Sequence, residues 1–323
     1  MTEPAMANTA ICIVIPTFNR AESISRLLDA LSSDDLATFG AEVIVVDDGS
    51  TDDTEHAVRS HDLQVTYLRQ AGAGPAAARN TGWRASTATI VVFLDDDCVP
   101  RSGWLADYVA AFEDTEVGGV GGTIVPLVDG FIADYITADG LVDHGRPSAG
   151  NADGAPTYLV TANAAFRRAA LEAADGFEEG YRLDRSGRTG RIVAGEDVDL
   201  CWRIVDAGWT LRRSRGAVVA HDHRVAVDAL MRTYFRHGRA RRELGRRHAG
   251  RGATAGMRRA ASTQHWVDRL RRYRADGDRS WIRVAGFVLL RISALAAYGS
   301  GVIWSLNDER RGRGESPTPT TRA

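Results

Sequence analysis

The sequence predicts an α/β fold: a mostly parallel central sheet flanked by helices, followed by a helical, Arg-rich C-terminal extension. Three observations predict it. Short apolar runs alternate with helical periodicity through residues 11–112. Polar or acidic residues follow the apolar runs directly, most visibly at Asp47-Asp48 and Asp95-Asp96-Asp97. Beyond residue 225 the composition turns to arginine and aromatic residues.

Ile11–Ile15 is a continuous apolar run closed by Pro16, the pattern of a buried strand. In Ala21–Leu31, the residues Ile24, Leu27, Leu28 and Leu31 fall on one helical face. Glu42–Val46 is the second strand, and Ser50 or Thr51 is placed to cap the helix after it. Leu63–Leu68 is a third strand, Ala76–Ala85 a helix and Ile90–Leu94 a fourth strand. Residues 103–112 set Trp104, Leu105, Tyr108, Val109 and Phe112 on one helix face. Strands joined through helices favour parallel pairing.

After Asp114 the pattern changes. Gly118–Gly122 precedes a strand-like Thr123–Val128. Asp139–Pro156 reads as a long loop, and Arg182–Arg191 as a second one just before Gly195-Glu196-Asp197. Residues 310–323, with Pro317 and Pro319, read as a disordered tail.

The chain is 44% hydrophobic and 25% charged, ordinary for a folded protein. Cys12, Cys98 and Cys201 are scattered and form no CxxC pair. No disulfide framework or zinc knuckle follows, which fits a reducing cytoplasmic setting. Cys98, beside the aspartates, reads as a small buried thiol. Met1–Ala10 lacks the pattern of a signal peptide.

All 40 basic residues are arginine. Residues 1–200 hold 32 acidic residues and 14 Arg, a balance of −18. Residues 201–323 hold 10 and 26, a balance of +16. The second half is therefore expected to meet something anionic, unless it folds back on the acidic half. Val284–Trp304 is mostly apolar but carries Arg291 near its middle. A central arginine costs about 2.5–3.5 kcal/mol on insertion, so an interfacial helix competes with a span. Residues 232–283 interleave arginines with Tyr234, Phe235, Trp266, Tyr273 and Trp281. That mixture suits an anionic membrane surface or a lipid-phosphate-linked acceptor. Peripheral attachment to the inner face of the cell membrane is expected.

Three consecutive carboxylates at a strand tip repel one another unless a cation sits among them. Oxygen ligands of this kind suit Mg²⁺ or Mn²⁺. The carboxyl ends of parallel strands are also where α/β sheets bind ligands. The tips Pro16–Arg20, Asp47–Asp52, Arg79-Asn80 and Asp95–Asp97 could line one crevice.

Five motifs, Ile13–Arg20 (IVIPTFNR), Val45–Asp52 (VVDDGSTD), Ala78–Gly82 (ARNTG), Phe93–Asp97 (FLDDD) and Gly195–Leu200 (GEDVDL), resemble in order those of family 2 glycosyltransferases with the GT-A nucleotide-diphospho-sugar transferase fold. The resemblance covers roughly residues 10–225. It implies inverting, metal-dependent transfer of one sugar from a nucleotide-sugar donor to a hydroxyl acceptor, with Mn²⁺ or Mg²⁺. It implies a catalytic domain over 1–225, with the donor part at about 10–115 and the acceptor and catalytic part at about 116–225. Residues 226–309 would be the extension and 310–323 the tail.

Residue by residue, the resemblance places Pro16, Thr17 and Asn19 beside the nucleotide base. Asp48, with Asp47 as the alternative, would hydrogen-bond that base. Arg79 would lie near base or diphosphate. Asp95 and Asp97 match the DxD pair, with Asp96 between them: Asp97 reaches the metal, Asp95 the ribose or metal. Asp197 matches the catalytic base. His221 matches a late metal-binding histidine, with His223 competing. Asn163 and Glu196 would face the acceptor, with Trp202 as its wall or as core.

Competing readings exist. Asp95–Asp97 could be a capped turn, and Glu196-Asp197 a favourable helix start. Asp199 and Arg203, four apart, read as a structural pair. A sugar nucleotidyltransferase would place a Gly-rich loop with a basic residue after the first strand, where this chain has Pro16–Asn19. A nucleotide-binding module without catalysis would be expected to lose its acidic pairs. Gly72–Ala77 imitates a dinucleotide fingerprint, but two strand–helix units precede it. The QxxRW signature of processive synthases is absent, so single-sugar addition is expected, in cell-envelope assembly and without nucleic acid.

Overall fold

The structure is a computed structural model that describes residues 10–32, 36–142, 155–181, 194–223, 226–249 and 281–314. It divides into two compact units, Met1–Arg191 with Glu196–His223, and Ile192–Gly195 with Arg224–Ala323.

In the first unit the chain runs β1 (Ile11–Thr17), α1 (Ala21–Ser32), β2 (Ala41–Asp47), α2 (Thr54–Arg59), β3 (Val65–Arg69), α3 (Pro75–Ala85) and β4 (Ile90–Leu94). It continues through β5 (Cys98–Pro100), α4 (Trp104–Ala111), β6 (Val117–Pro126), α5 (Phe131–Asp139), β7 (Asn163–Arg167), α6 (Arg168–Ala173), α7 (Glu196–Asp206) and β8 (Thr210–His221). One eight-stranded sheet has the order β3-β2-β1-β4-β7-β6-β8-β5. The pairs among β1, β2, β3 and β4 are parallel, as is β6 with β8. β7 is antiparallel to both its neighbours, and β5 to β8.

The central strands read as unbroken apolar runs because both faces of the sheet are covered. Alternate residues feed two cores. Ile11, Ile13 and Ile15 pack with Ile24, Leu27 and Leu28 of α1 and Trp104 of α4. Cys12 and Val14 pack with Ala78 and Trp83 of α3 and Leu200 and Ile204 of α7.

Several expectations need correction. The glycines of 118–122 lie inside β6, not before it, because neighbouring side chains press on that strand. A Cβ on Gly122 would collide with the Asn163 amide and the Tyr108 hydroxyl. The helix after β2 starts at Thr54, and the Asp52 carboxylate, not Ser50 or Thr51, accepts the Thr54 N–H at 3.1 Å. Arg79-Asn80 lies within α3 rather than at a strand tip. Of the two long loops, Arg182–Arg191 lies outside the described residues. The other begins where α5 ends, and its residues 143–154 also lie outside them.

The second unit contains α8 (Val227–Arg247) and α9 (Trp281–Gly314). The helix thus covers 310–314, where disorder was expected, and 315–323 lie outside the described residues. The two helices approach closely through glycines. A Cβ on Gly238 would meet the Tyr298 backbone, and one on Gly301 the Phe235 backbone. The Arg239 guanidinium lies 3.8 Å from the Trp304 ring centroid. Much of the Arg-rich stretch, residues 250–280, lies outside the described residues.

Candidate active site

Parallel pairing brings the carboxyl ends of β1, β2 and β4 to one edge of the sheet. At the β2 tip, Asp47 is fully buried. Its carboxylate accepts the Ser50 N–H at 2.7 Å, the Tyr67 hydroxyl at 2.6 Å and Arg69 at 3.1 Å. Burial alone would raise this carboxyl, but the hydrogen bonds from Ser50 and Tyr67 and the Arg69 charge outweigh it and hold it low. Asp47 is therefore corrected from ligand contact to scaffold, since both its oxygens are spent inside the protein. Asp48 accepts the Ala73 N–H at 2.7 Å, the Gly74 N–H at 3.0 Å and Gln70 at 2.8 Å. It clasps the turn that opens α3.

At the β1 tip, buried Pro16 pairs with Val46. Asn19, at a φ of 52°, links the β1 and β2 tips. Its N–H donates to Ser50 Oγ and its side-chain oxygen accepts the Thr51 N–H, both at 2.8 Å.

The third tip holds the aspartate trio. Thr17 Oγ1 donates to Asp96 at 2.8 Å. Burial, then the neighbouring Asp97 charge, pushes the Asp96 carboxyl up to about 7. Asp97 lies 3.6 Å from Arg20 and 3.2 Å from His221 Nε2. The antiparallel register of β5 with β8 explains the second contact, because Cys98 lies opposite His221. The Asp222 N–H also donates to the Asp97 carbonyl at 2.8 Å. His221 Nδ1 in turn lies 2.8 Å from His223 Nδ1.

Ligand atoms of Asp97, Cys98 and His221 lie within 4.8 Å of one another. The Cys98 thiol sits 3.3 Å from the Ala162 carbonyl, and burial, then the Asp95 charge, pushes its pKa well up. Its burial is what the small-buried-thiol reading expected. The remaining carboxylate and imidazole fit Mn²⁺ or Mg²⁺.

Arg79 joins this cluster to the second one. Its guanidinium donates to Asp95 at 2.8 Å and to Glu196 at 3.1 Å, 117 residues away in sequence. The side chain is only 5% exposed. Desolvation opposes its charge, but Asp95 and Glu196 prevail and raise its pKa. The rest of the Ala78–Gly82 motif positions it. Asn80 donates to the Phe177 carbonyl at 2.8 Å and accepts the Phe177 N–H at 2.9 Å. Gly82 lets α3 lie against Val14, where a Cβ would overlap. Asp197 follows Glu196 at the start of α7. Burial, then repulsion by Glu196, raises its carboxyl to about 7, against the Val198 N–H and Arg79. Asp199 contributes to the scaffold instead, paired with Arg203 at 2.8 Å.

Asn163 also needs correction. It is fully buried, its amide accepting from Tyr108 at 2.7 Å and donating to the Thr123 and Ala217 carbonyls at 3.1 and 2.9 Å. It knits strands together and cannot face an acceptor. Trp202 is buried, with 9% of its surface exposed. The residue that sequence reasoning missed is Arg20. Its signal was present, a cation closing the β1 motif, but its partner Asp97 comes from another strand.

The profile described as "Glycosyl transferase family 2" matches residues 12–173, half of the chain. The pre-mycofactocin glycosyltransferase of Mycobacterium tuberculosis is 37% identical over 237 residues, 71% of this chain and 46% of that protein. This chain thus spans about half the length of that relative. Glycosyltransferase AglE of Haloferax volcanii is 27% identical over 71% of this chain and 72% of its own length. Among solved structures, the mannosyltransferase PcManGT of Pyrobaculum calidifontis, in complex with GDP-Man and Mn²⁺, superposes with a TM-score of 0.56. It is 24% identical, covering 93% of this chain and 84% of that one.

Proposed function

The chain belongs to glycosyl transferase family 2 and has the GT-A fold, and we propose that it transfers one sugar from a nucleotide-diphospho-sugar donor to an acceptor hydroxyl, with inversion. The observation that carries this reading is the Arg79 bridge, which draws Asp95 and the Glu196-Asp197 pair to one site. The donor part is residues 10–115, with the base beside Pro16, Thr17, Asn19 and Asp48. Residues 116–225 carry the acceptor side.

Asp97 and His221 would hold a divalent cation, with Asp95 beside them. Once bound, that cation would supply positive charge against the departing diphosphate. Arg79 and Arg20 add fixed positive charge at the same edge. Asp197 accepts the proton of the acceptor hydroxyl, a role suited to a carboxyl poised near neutral pH. With Asp197 as base, no second carboxylate nucleophile is required, and a single displacement inverts the anomeric centre.

Thermal shifts with UDP-, GDP- and dTDP-sugars, with and without Mn²⁺, test the reading. One donor should raise Tm only with metal. No shift from any of them would refute it.

The acceptor is proposed to be a cell-envelope or lipid-linked glycan, reached from the cytoplasmic face of the membrane. Ile282–Ser305 of α9 is long and apolar enough to cross a membrane. Its exposed Ile282, Leu289, Ile292 and Ile303, together with the Arg-rich composition, support attachment to an anionic surface. Failure to co-sediment with anionic vesicles at low salt would overturn that part.

A further inference from the structure

We propose that His223 is a positioning residue: it receives the Nδ1 proton of His221 in a hydrogen bond and so leaves His221 Nε2 free as a metal ligand. This rests on the reading of His221 as a ligand.

The geometry is specific. The two Nδ1 atoms lie 2.8 Å apart, a distance that requires one proton between them. A backbone hydrogen bond from the His223 N–H to the His221 carbonyl, at 2.9 Å, closes a tight turn that fixes the pair. The rings sit 4.9 Å apart at 42°. His221 Nε2 faces the Asp97 carboxylate at 3.2 Å. Beside a carboxylate alone, Nε2 is best protonated. Toward a cation it must offer its lone pair, and the single ring proton then sits on Nδ1. His223 must accept it there. Ligating histidines are commonly oriented by such a partner on the other ring nitrogen.

Scaffolding alone explains His223 poorly. The residue is 4% exposed, and its ring Nε2 has no hydrogen-bond partner among the described residues. A buried unpaired nitrogen opposes folding, and an apolar side chain of similar size would avoid that cost. The second histidine of the His221-Asp222-His223 triplet is thus better suited to serve the first than to bind metal itself.

The test uses the full chain and Mn²⁺ alone, followed by loss of the free-ion EPR signal, with Tm read in parallel. His223→Leu should bind Mn²⁺ about 10- to 100-fold more weakly with Tm unchanged or raised. His223→Asn, whose side-chain oxygen can accept where Nδ1 did, should restore most of the affinity. His221→Ala separates the two readings: unchanged Mn²⁺ affinity there would remove the ligand assignment itself. If His221→Ala weakens binding while His223→Leu matches wild type, or His223→Asn does no better than His223→Leu, the positioning role is wrong. Should His223→Leu fail to fold, histidine ¹⁵N spectra of the wild type with Cd²⁺ decide. A protonated His221 Nδ1 beside an unprotonated His223 Nδ1 is expected, and the reverse overturns the proposal.

Discussion

Asp47-Asp48 at the end of β2 and Asp95–Asp97 at the end of β4 look alike as sequence, and their surroundings differ in kind. The β2 carboxylates are held by three backbone N–H groups, a tyrosine hydroxyl, a glutamine amide and one arginine, Arg69. The backbone donors among them are part of the turns themselves and have no other role to play. The β4 carboxylates face Arg79, Arg20 and His221: the arginines can pair with a phosphate as well as a carboxylate, and the histidine can turn a lone pair to a cation. A row of aspartates therefore says little by itself. The kind of group that neutralises it, backbone turn or ligand-capable side chain, separates scaffold from site.

The largest effect that would sharpen this contrast is expected at the third acidic position. Asp197→Asn should lower kcat about 10²- to 10⁴-fold while donor binding, read by calorimetry, persists. Retained turnover would remove it as the base. Asp97→Asn should cost about 10²- to 10³-fold in turnover and weaken Mn²⁺ binding, with little change in Tm. If Tm falls instead, the β4 tip is scaffold too and the contrast breaks.

A smaller, graded effect concerns pH. Asp197 works as a carboxylate, so kcat/KM should fall about tenfold per unit below its free-enzyme value of about 7. Its folded pKa is raised, so its ionised form opposes folding above that pH and the opposition fades as pH drops. Activity should thus fall between pH 7 and 6 without loss of Tm from this group. A flat rate profile over that range would count against the assignment.

At the β2 tip the signs reverse. Asp47→Asn turns a donor toward Tyr67 and Arg69 and should cost about 1–3 kcal/mol in denaturant melts, with the kcat of the folded fraction kept. The folded pKa of Asp47 is lowered, so its contribution is present above the unfolded value and lost as pH falls through the folded one. The variant should lose that acid sensitivity.

The parallel half of the sheet was legible because buried parallel strands write themselves as unbroken apolar runs. The other half was not. β5 is three residues long, and β8 carries exposed Arg212, Arg213 and Arg215 within it. β6 hides behind glycines that its neighbours demand. The acidic clusters and Arg79 could be named from motifs. What each side chain touches could not, since Asp47 finds its partners at Tyr67 and Arg69, and Asn163 finds its own at Tyr108 and Ala217. Such pairs form only when the strands align.

The Asp48 clasp on Ala73 and Gly74 has a consequence for how this chain tolerates change. It sets where α3 begins, and Arg79 follows within the second turn. Adding or deleting one residue between Gly74 and Arg79 would dial the guanidinium about 100° around the helix axis, away from both carboxylates. The connection before Ala73 can change in length, whereas the five steps from the clasp to Arg79 are indexed to the single residue.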